Sequence, residues 1–383
     1  MIGGASALGI GALLALPAAR PASAAPAPIT TIRPGHALYD VGVYPRITEA
    51  QARASARAGT TVPEYTTSVK VGTKNFTYTI VGKNPAIKVA NPSTTVKAVL
   101  IPVIMKFSNG DTWNPAKADS CDPGPSALAR TQKSPVFVSQ SWKFGATSVG
   151  TGEYIDAFQR AEFWKFAKPS GVNPGFHVKL SLKTLPAITV NVPNAQRAEG
   201  AIGCGNGHLG AVNIGWLDNR LQNVVIPSLA GQGVTTTTFP IFLLHNFAAL
   251  ASGQCCVLGY HNAVSTAAGV QTYGLAMYDN SGFFDGSSDV SALSHEVGEW
   301  QNDPSGANPT PSWGNIGQVI GCQNNLEVGD PLSGTTIADN LNGFTYHPQE
   351  LAFFSWFYHQ SPSLGVNGWY SNKGTFRTFA APC

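Results

Sequence analysis

The spacing of apolar and polar residues changes character several times along the chain. Runs rich in β-branched and aromatic residues predict strands at 76–81 and 96–107, the second leading into an Asn109-Gly110 turn. Tyr154, Phe158, Ala161 and the Trp164-Lys165 pair recur at helical spacing, so 154–167 reads as a helix. Alternation returns at 177–182 and 187–192, which read as strands. Residues 209–229 read as mostly helix ending at a Gly-rich turn, and 239–247, 256–261 and 272–278 as three successive strands. A helix is expected at 289–301, with Asp289 as its N-cap and Asp303-Pro304 closing it. After a long Asn-, Gly- and Pro-rich loop to about 346, residues 348–359 read as a last, aromatic-rich helix with Pro348 in its first turn. This succession lacks a regular βαβ rhythm. It implies an α+β fold in which a mixed sheet packs on the helix at 289–301, loop-rich and disulfide-containing.

Composition narrows the class. A chain of 383 residues, 43% hydrophobic and 12% charged, can bury a large core, and much of its surface must be uncharged polar residues. The amino terminus has an apolar run at 5–19 and an A-x-A site at Ala22-Ser23-Ala24, which together predict a signal peptide at 1–24 and a secreted protein. That run is too short, and too broken by Pro17, for a membrane span, and no later stretch is long enough. Six cysteines in an exported chain allow three disulfides, with the adjacent Cys255 and Cys256 expected to reach different partners. A β-rich part at 25–235 and a second part at 236–383 are expected to form one continuous unit.

Charge is distributed unevenly. Residues 1–220 hold 22 of the 24 Lys and Arg, whereas residues 221–372 hold ten carboxylates and neither Lys nor Arg. Such acids need solvent, a partner from the basic half, or a bound cation. The net charge of +3 excludes a general nucleic-acid binder.

Among these acids stands His295-Glu296-Val297-Gly298-Glu299. Residues four apart share a helix face, so His295 and Glu299 can hold one metal ion. Glu296 lies about 100° round the helix, placed to act on a metal-bound water as catalytic base. This is the H-E-x-x-H pattern of zinc hydrolases with glutamate in place of the second histidine, a tolerable exchange because zinc accepts carboxylate ligands. Glu327-Val328-Gly329-Asp330 offers Asp330 or Glu327 as third ligand, and His261 is the competing nitrogen ligand. Gly298 inside the helix implies close packing beneath it. Zinc is the expected metal. Calcium is the alternative, because oxygen-rich ligand sets favour it.

The run from Ser294 to Trp300 with Asn302-Asp303-Pro304, then Glu327 to Asp330, resembles a group of secreted, largely uncharacterised bacterial and fungal proteins. These carry S-H-E-x-x-E, a nearby D-P and a downstream G-D, and Cys256-Val257-Leu258-Gly259-Tyr260-His261 is similar to a C-x-x-G-Y-H segment in the same group. The resemblance covers roughly 236–360. It implies a zincin-like metal site and a distant kinship to the Exordium-like, phosphate-induced extracellular proteins of plants, and it implies no substrate.

Other signals carry less. Gly205-Asn206-Gly207-His208-Leu209-Gly210 fits G-x-G-x-x-G but follows no clear strand, and reads as a turn. There is no G-x-S-x-G, and Ser294 reads as a helix residue. His208, His245, His347 and His359 read as structural. Trp300, Trp313, Trp356 and Tyr358 either line a groove or pack the core around the motif helix. Two functions follow from different classes: a secreted zinc-dependent hydrolase, most simply a peptidase acting on a peptide or other extracellular polymer, and a non-catalytic extracellular protein with a structural zinc or calcium site.

Overall fold

The computed structural model describes residues 32–33, 35–36, 38–41, 47–251, 254–380 and 383, and the expected signal peptide at 1–24 lies outside them. The described residues form a mixed α+β structure around a curled sheet of eleven strands. In chain order these are β1 (Leu38–Val41), β2 (Ser93–Phe107), β3 (Thr112–Trp113), β4 (His177–Thr184), β5 (Ile188–Val192) and β6 (Arg197–Ala201). They continue with β7 (His208–Asn213), β8 (Thr238–His245), β9 (Phe247–Ala251), β10 (Gln254–Thr266) and β11 (Gly269–Tyr278). The spatial order is β5-β2-β8-β11-β10-β9-β7-β6, with β3 and β4 also on β2 and β1 on β10.

The central strands β2, β8 and β11 run parallel, and β10 returns antiparallel to β11. Every residue of β8 is buried, as expected of a strand covered on both faces. On one face lies the helix α2 (Ser291–Asn302), itself buried along its whole length, and α1 (Tyr154–Glu162) packs beside it. Trp300 of α2 stacks on Phe239 of β8 with ring centroids 3.7 Å apart, and its indole N–H donates to Thr272 Oγ1 at 3.0 Å. On the other face, the helical segment from Ile214 presents Asp218, which accepts from Gln222 at 3.0 Å, Asn262 at 3.2 Å and the Tyr273 hydroxyl. The alternation of β10 therefore sends Asn262 to the Asp218 side and His261 to the α2 side.

Several expected elements change. Residues 208–213 are strand, and helix starts only at Ile214, where the Asn213 side chain caps it by accepting from Trp216 N at 2.9 Å. The helix at 154–167 breaks at Phe163 into Tyr154–Glu162 and Trp164–Ala167. The motif helix begins at Ser291 rather than Asp289: Asp289 has φ 37°, and its carboxylate accepts from His347 Nδ1 at 2.6 Å. Of the last helix only Phe354–Phe357 forms. The long loop contains two hairpins, Pro309–Ile316 with Val319–Asn325 and Asp339–Leu341 with Phe344–Tyr346. The second turns at Asn342-Gly343, both at positive φ, as tight hairpin turns require.

Cysteine pairing also departs from expectation. Cys121 pairs with Cys204 and Cys322 with Cys383, which leaves the neighbours Cys255 and Cys256 at disulfide distance from each other. Of the Gly205–Gly210 segment, Gly205–Gly207 forms the turn between β6 and β7, with both glycines at positive φ, and His208–Gly210 already belong to β7. Trp300, Trp313, Trp356 and Tyr358 are all core residues, none more than 1% exposed. No described helix is long and apolar enough to cross a membrane.

Candidate metal centre

Three elements meet below β10. The helix α2 contributes His295, Glu296 and Glu299, and the i, i+4 spacing brings His295 Nε2 to 3.0 Å from Glu299 Oε2. A short helical turn, Asp330–Leu332, follows the 309–325 hairpin and places Asp330 Oδ1 3.6 Å from the same imidazole nitrogen. Asp330 is itself held by the amides of Gln318 and Gln323. From β10, His261 points Nδ1 at Glu296 Oε2 (3.4 Å) and Glu299 Oε2 (3.6 Å), and Nε2 at Glu327 Oε2 (3.9 Å). Glu327 accepts from Asn325 Nδ2 at 2.9 Å. All six sequence-derived candidates thus converge, and none is more than 4% exposed.

Two glycines make the approach possible. A Cβ on Gly259 would lie 2.7 Å from Glu296 Cγ and Oε1, so only glycine admits this carboxylate under β10. A Cβ on Gly329 would strike the His295 ring, and the Gly329 N–H donates to Glu299 Oε1 at 3.0 Å. Beneath the helix, a Cβ on Gly298 would lie 2.5 Å from Leu351 Cδ1, which is the close packing its presence implied.

The imidazole of His295 is oriented from outside the motif. Gln349 Nε2 donates to the Gly329 carbonyl at 2.7 Å, which turns Gln349 Oε1 toward His295 Nδ1 at 3.1 Å. The other ring nitrogen, Nε2, then faces Glu299 and Asp330. Ser294 is a structural helix residue: its hydroxyl donates to Ser291 O at 2.9 Å and accepts from Gln349 N at 2.8 Å. Gln349, Gln318 and Gln323 were not legible as site residues, because nothing in their spacing relates them to the motif.

Burial pushes the Glu299 carboxyl up, but the charge and hydrogen bond of His295, the charge of His261 and the Gly329 N–H outweigh it. The net result lies below the ordinary glutamate value, so this carboxyl is held as an anion.

The donor chemistry, imidazole nitrogen and carboxylate oxygen, fits zinc, and its oxygen-rich half also fits calcium. The donor atoms of this centre form two sets, His295/Glu299/Asp330 and His261/Glu296/Glu299, each within 4.8 Å; a third set among the described residues, Asp111/Glu199/His208, is half-buried and lies apart from the motif. Glu296, expected beside the ligands, stands as near to His261 as Glu299 does, because the face of α2 that it occupies meets β10.

Two cavities lie away from this centre. One of about 350 Å³ is lined by Trp113, Asp119, His208 and His245, and one of about 260 Å³ by Tyr65, Tyr78 and Phe354. His245 accounts for itself structurally, 3.0 Å from Asn280 Oδ1 and 3.6 Å from Asp119 Oδ2. No family model, no curated protein and no solved structure matches the chain.

Proposed function

We propose that the protein is a metal-dependent hydrolase of zincin-like type, secreted, and acting on a peptide or another extracellular polymer. The observation that carries this reading is the convergence of His295, Glu299 and Asp330 beside the carboxylate of Glu296. His295, Glu299 and Asp330 would hold zinc, which when bound polarises a carbonyl and lowers the pKa of its water toward ~7. Glu296 is the proton acceptor, set under β10 by Gly259. His261, 3.4 Å from it, positions that carboxylate, and Glu327 beside the other imidazole nitrogen orients His261.

Burial favours a second reading, in which the same residues hold a structural zinc or calcium that ties the 303–346 segment to α2. Structural metal sites are closed, whereas catalytic ones keep an open position. Metal content and turnover on casein, peptide, ester and glycan substrates separate the two. In the hydrolase, Glu296→Gln keeps an ion at the His295 set and loses ~10²–10⁴-fold in turnover, the range of a lost general base. A wild type that binds metal and turns over none of these substrates establishes the structural reading instead.

A further inference from the structure

We infer that the centre takes two divalent cations, and that the second binds at His261, Glu296 and Glu299, with Glu327 on the far side of the imidazole. The identity of the first ion and the activity arm below rest on the reading just proposed. The count of ions does not.

Donor atoms on one zinc-sized ion sit 2.0–2.2 Å from it and so lie at most ~4.4 Å apart. Five of the cluster's six donors lie in metal-sized sets, but not in a single one within 4.8 Å. They fall into two, each with one imidazole, and share only Glu299. Within the sets the separations are 3.0 and 3.6 Å around His295, and 3.4 and 3.6 Å around His261. These are near the ~3.3–3.6 Å edges of a tetrahedron of such donors. Glu299 Oε2 lies between the two imidazoles, with Oε1 fixed by the Gly329 N–H, which is the placement of a bridging carboxylate.

Charge agrees with geometry. Glu296, Glu299, Glu327 and Asp330 are four buried carboxylates in a stretch, 221–372, that contributes neither Lys nor Arg. One divalent ion neutralises half of that formal charge and two neutralise all of it. The glycine at position 259 serves the second set: it gives room to a carboxylate that faces His261. A second ion there would also occupy Glu296, the proposed proton acceptor, so filling it takes the base out of use.

The test titrates metal-free, full-length mature protein with Zn²⁺ and counts ions by native mass spectrometry. Wild type is expected to bind two, and His261→Gln and Asp330→Asn one each. Turnover, if the hydrolase reading holds, rises with the first equivalent and falls with the second. Wild type saturating at one ion, or both variants losing all metal while their circular dichroism stays native, overturns the proposal. A measurement that needs no variant is the electron paramagnetic resonance of protein loaded with two equivalents of Mn²⁺. An exchange-coupled pair supports the shared Glu299, and a spectrum of isolated ions overturns it. Two bound ions with no turnover on any substrate leave the second site standing and remove the hydrolase.

Discussion

Gln349 shows how much one uncharged side chain can govern. It belongs to no motif, yet its amide spans the Gly329 carbonyl and His295 Nδ1, at 2.7 and 3.1 Å. Partners of this kind fix the ring orientation and basicity of a metal-ligating histidine, and their loss typically costs 10–100-fold in metal affinity. At the proposed metal site, Gln349→Ala is therefore expected to weaken zinc binding by that factor. Gln349→Glu, which still presents an acceptor to His295, is expected to recover part of it. Isothermal titration with zinc reads both. Equal affinities for wild type and Gln349→Ala would show that the imidazole is oriented by packing alone.

At the scale of elements, α2 is a case where packing and propensity oppose each other. Glycine within a helix is about 1 kcal/mol worse than alanine. Gly298→Ala should nevertheless destabilise, because the new methyl meets Leu351 Cδ1 at 2.5 Å and Leu351 is fully buried. Overpacking of this sort costs roughly 1–3 kcal/mol. Urea denaturation of Gly298→Ala, Leu351→Ala and the double variant measures it. The two substitutions should partly compensate, and simple additivity would place the strain elsewhere.

The helix itself was legible because His295, Glu299 and the Asp303-Pro304 stop are local signals. The helix expected at 348–359 failed because remote partners claim its backbone. Past the first turn, where the helix ladder would begin, Ala352 N donates instead to Val328 O at 2.8 Å and Phe353 N to Tyr370 O at 2.7 Å, and Ala352 bridges to Ser371. Sequence periodicity sees the aromatic spacing but not these acceptors. The site divides the same way. The i, i+4 pair was readable, whereas the facing of Glu296 toward β10 depends on a packing angle that no spacing encodes.

For the whole molecule, one buried carboxyl and one half-buried one tie stability to pH. Burial, the largest influence, raises Glu162 to about 8, with the Phe354 N–H and Asn302 pulling back, and raises Glu64 to about 8 as well. Between about pH 4.5 and 8 the unfolded chain has ionised these groups while the folded chain keeps their protons. The folded state then binds more protons, so stability falls as pH rises through that window and levels off above it. Glu162→Gln should flatten this slope. Chemical denaturation midpoints at pH 5 and pH 8 check it, and an equally steep decline in the variant would assign the loss to other groups.

The sheet order also sets a timetable. Strand β2 pairs through 97–102 with β8, which lies far downstream, so its apolar edge has no native partner until Thr238–His245 has been synthesised. At 5–20 residues per second that delay is on the order of ten seconds. An unpaired apolar strand edge is a template for aggregation. For that interval the nascent chain carries the aliphatic run 98–101 without the strand that covers its edge in the fold.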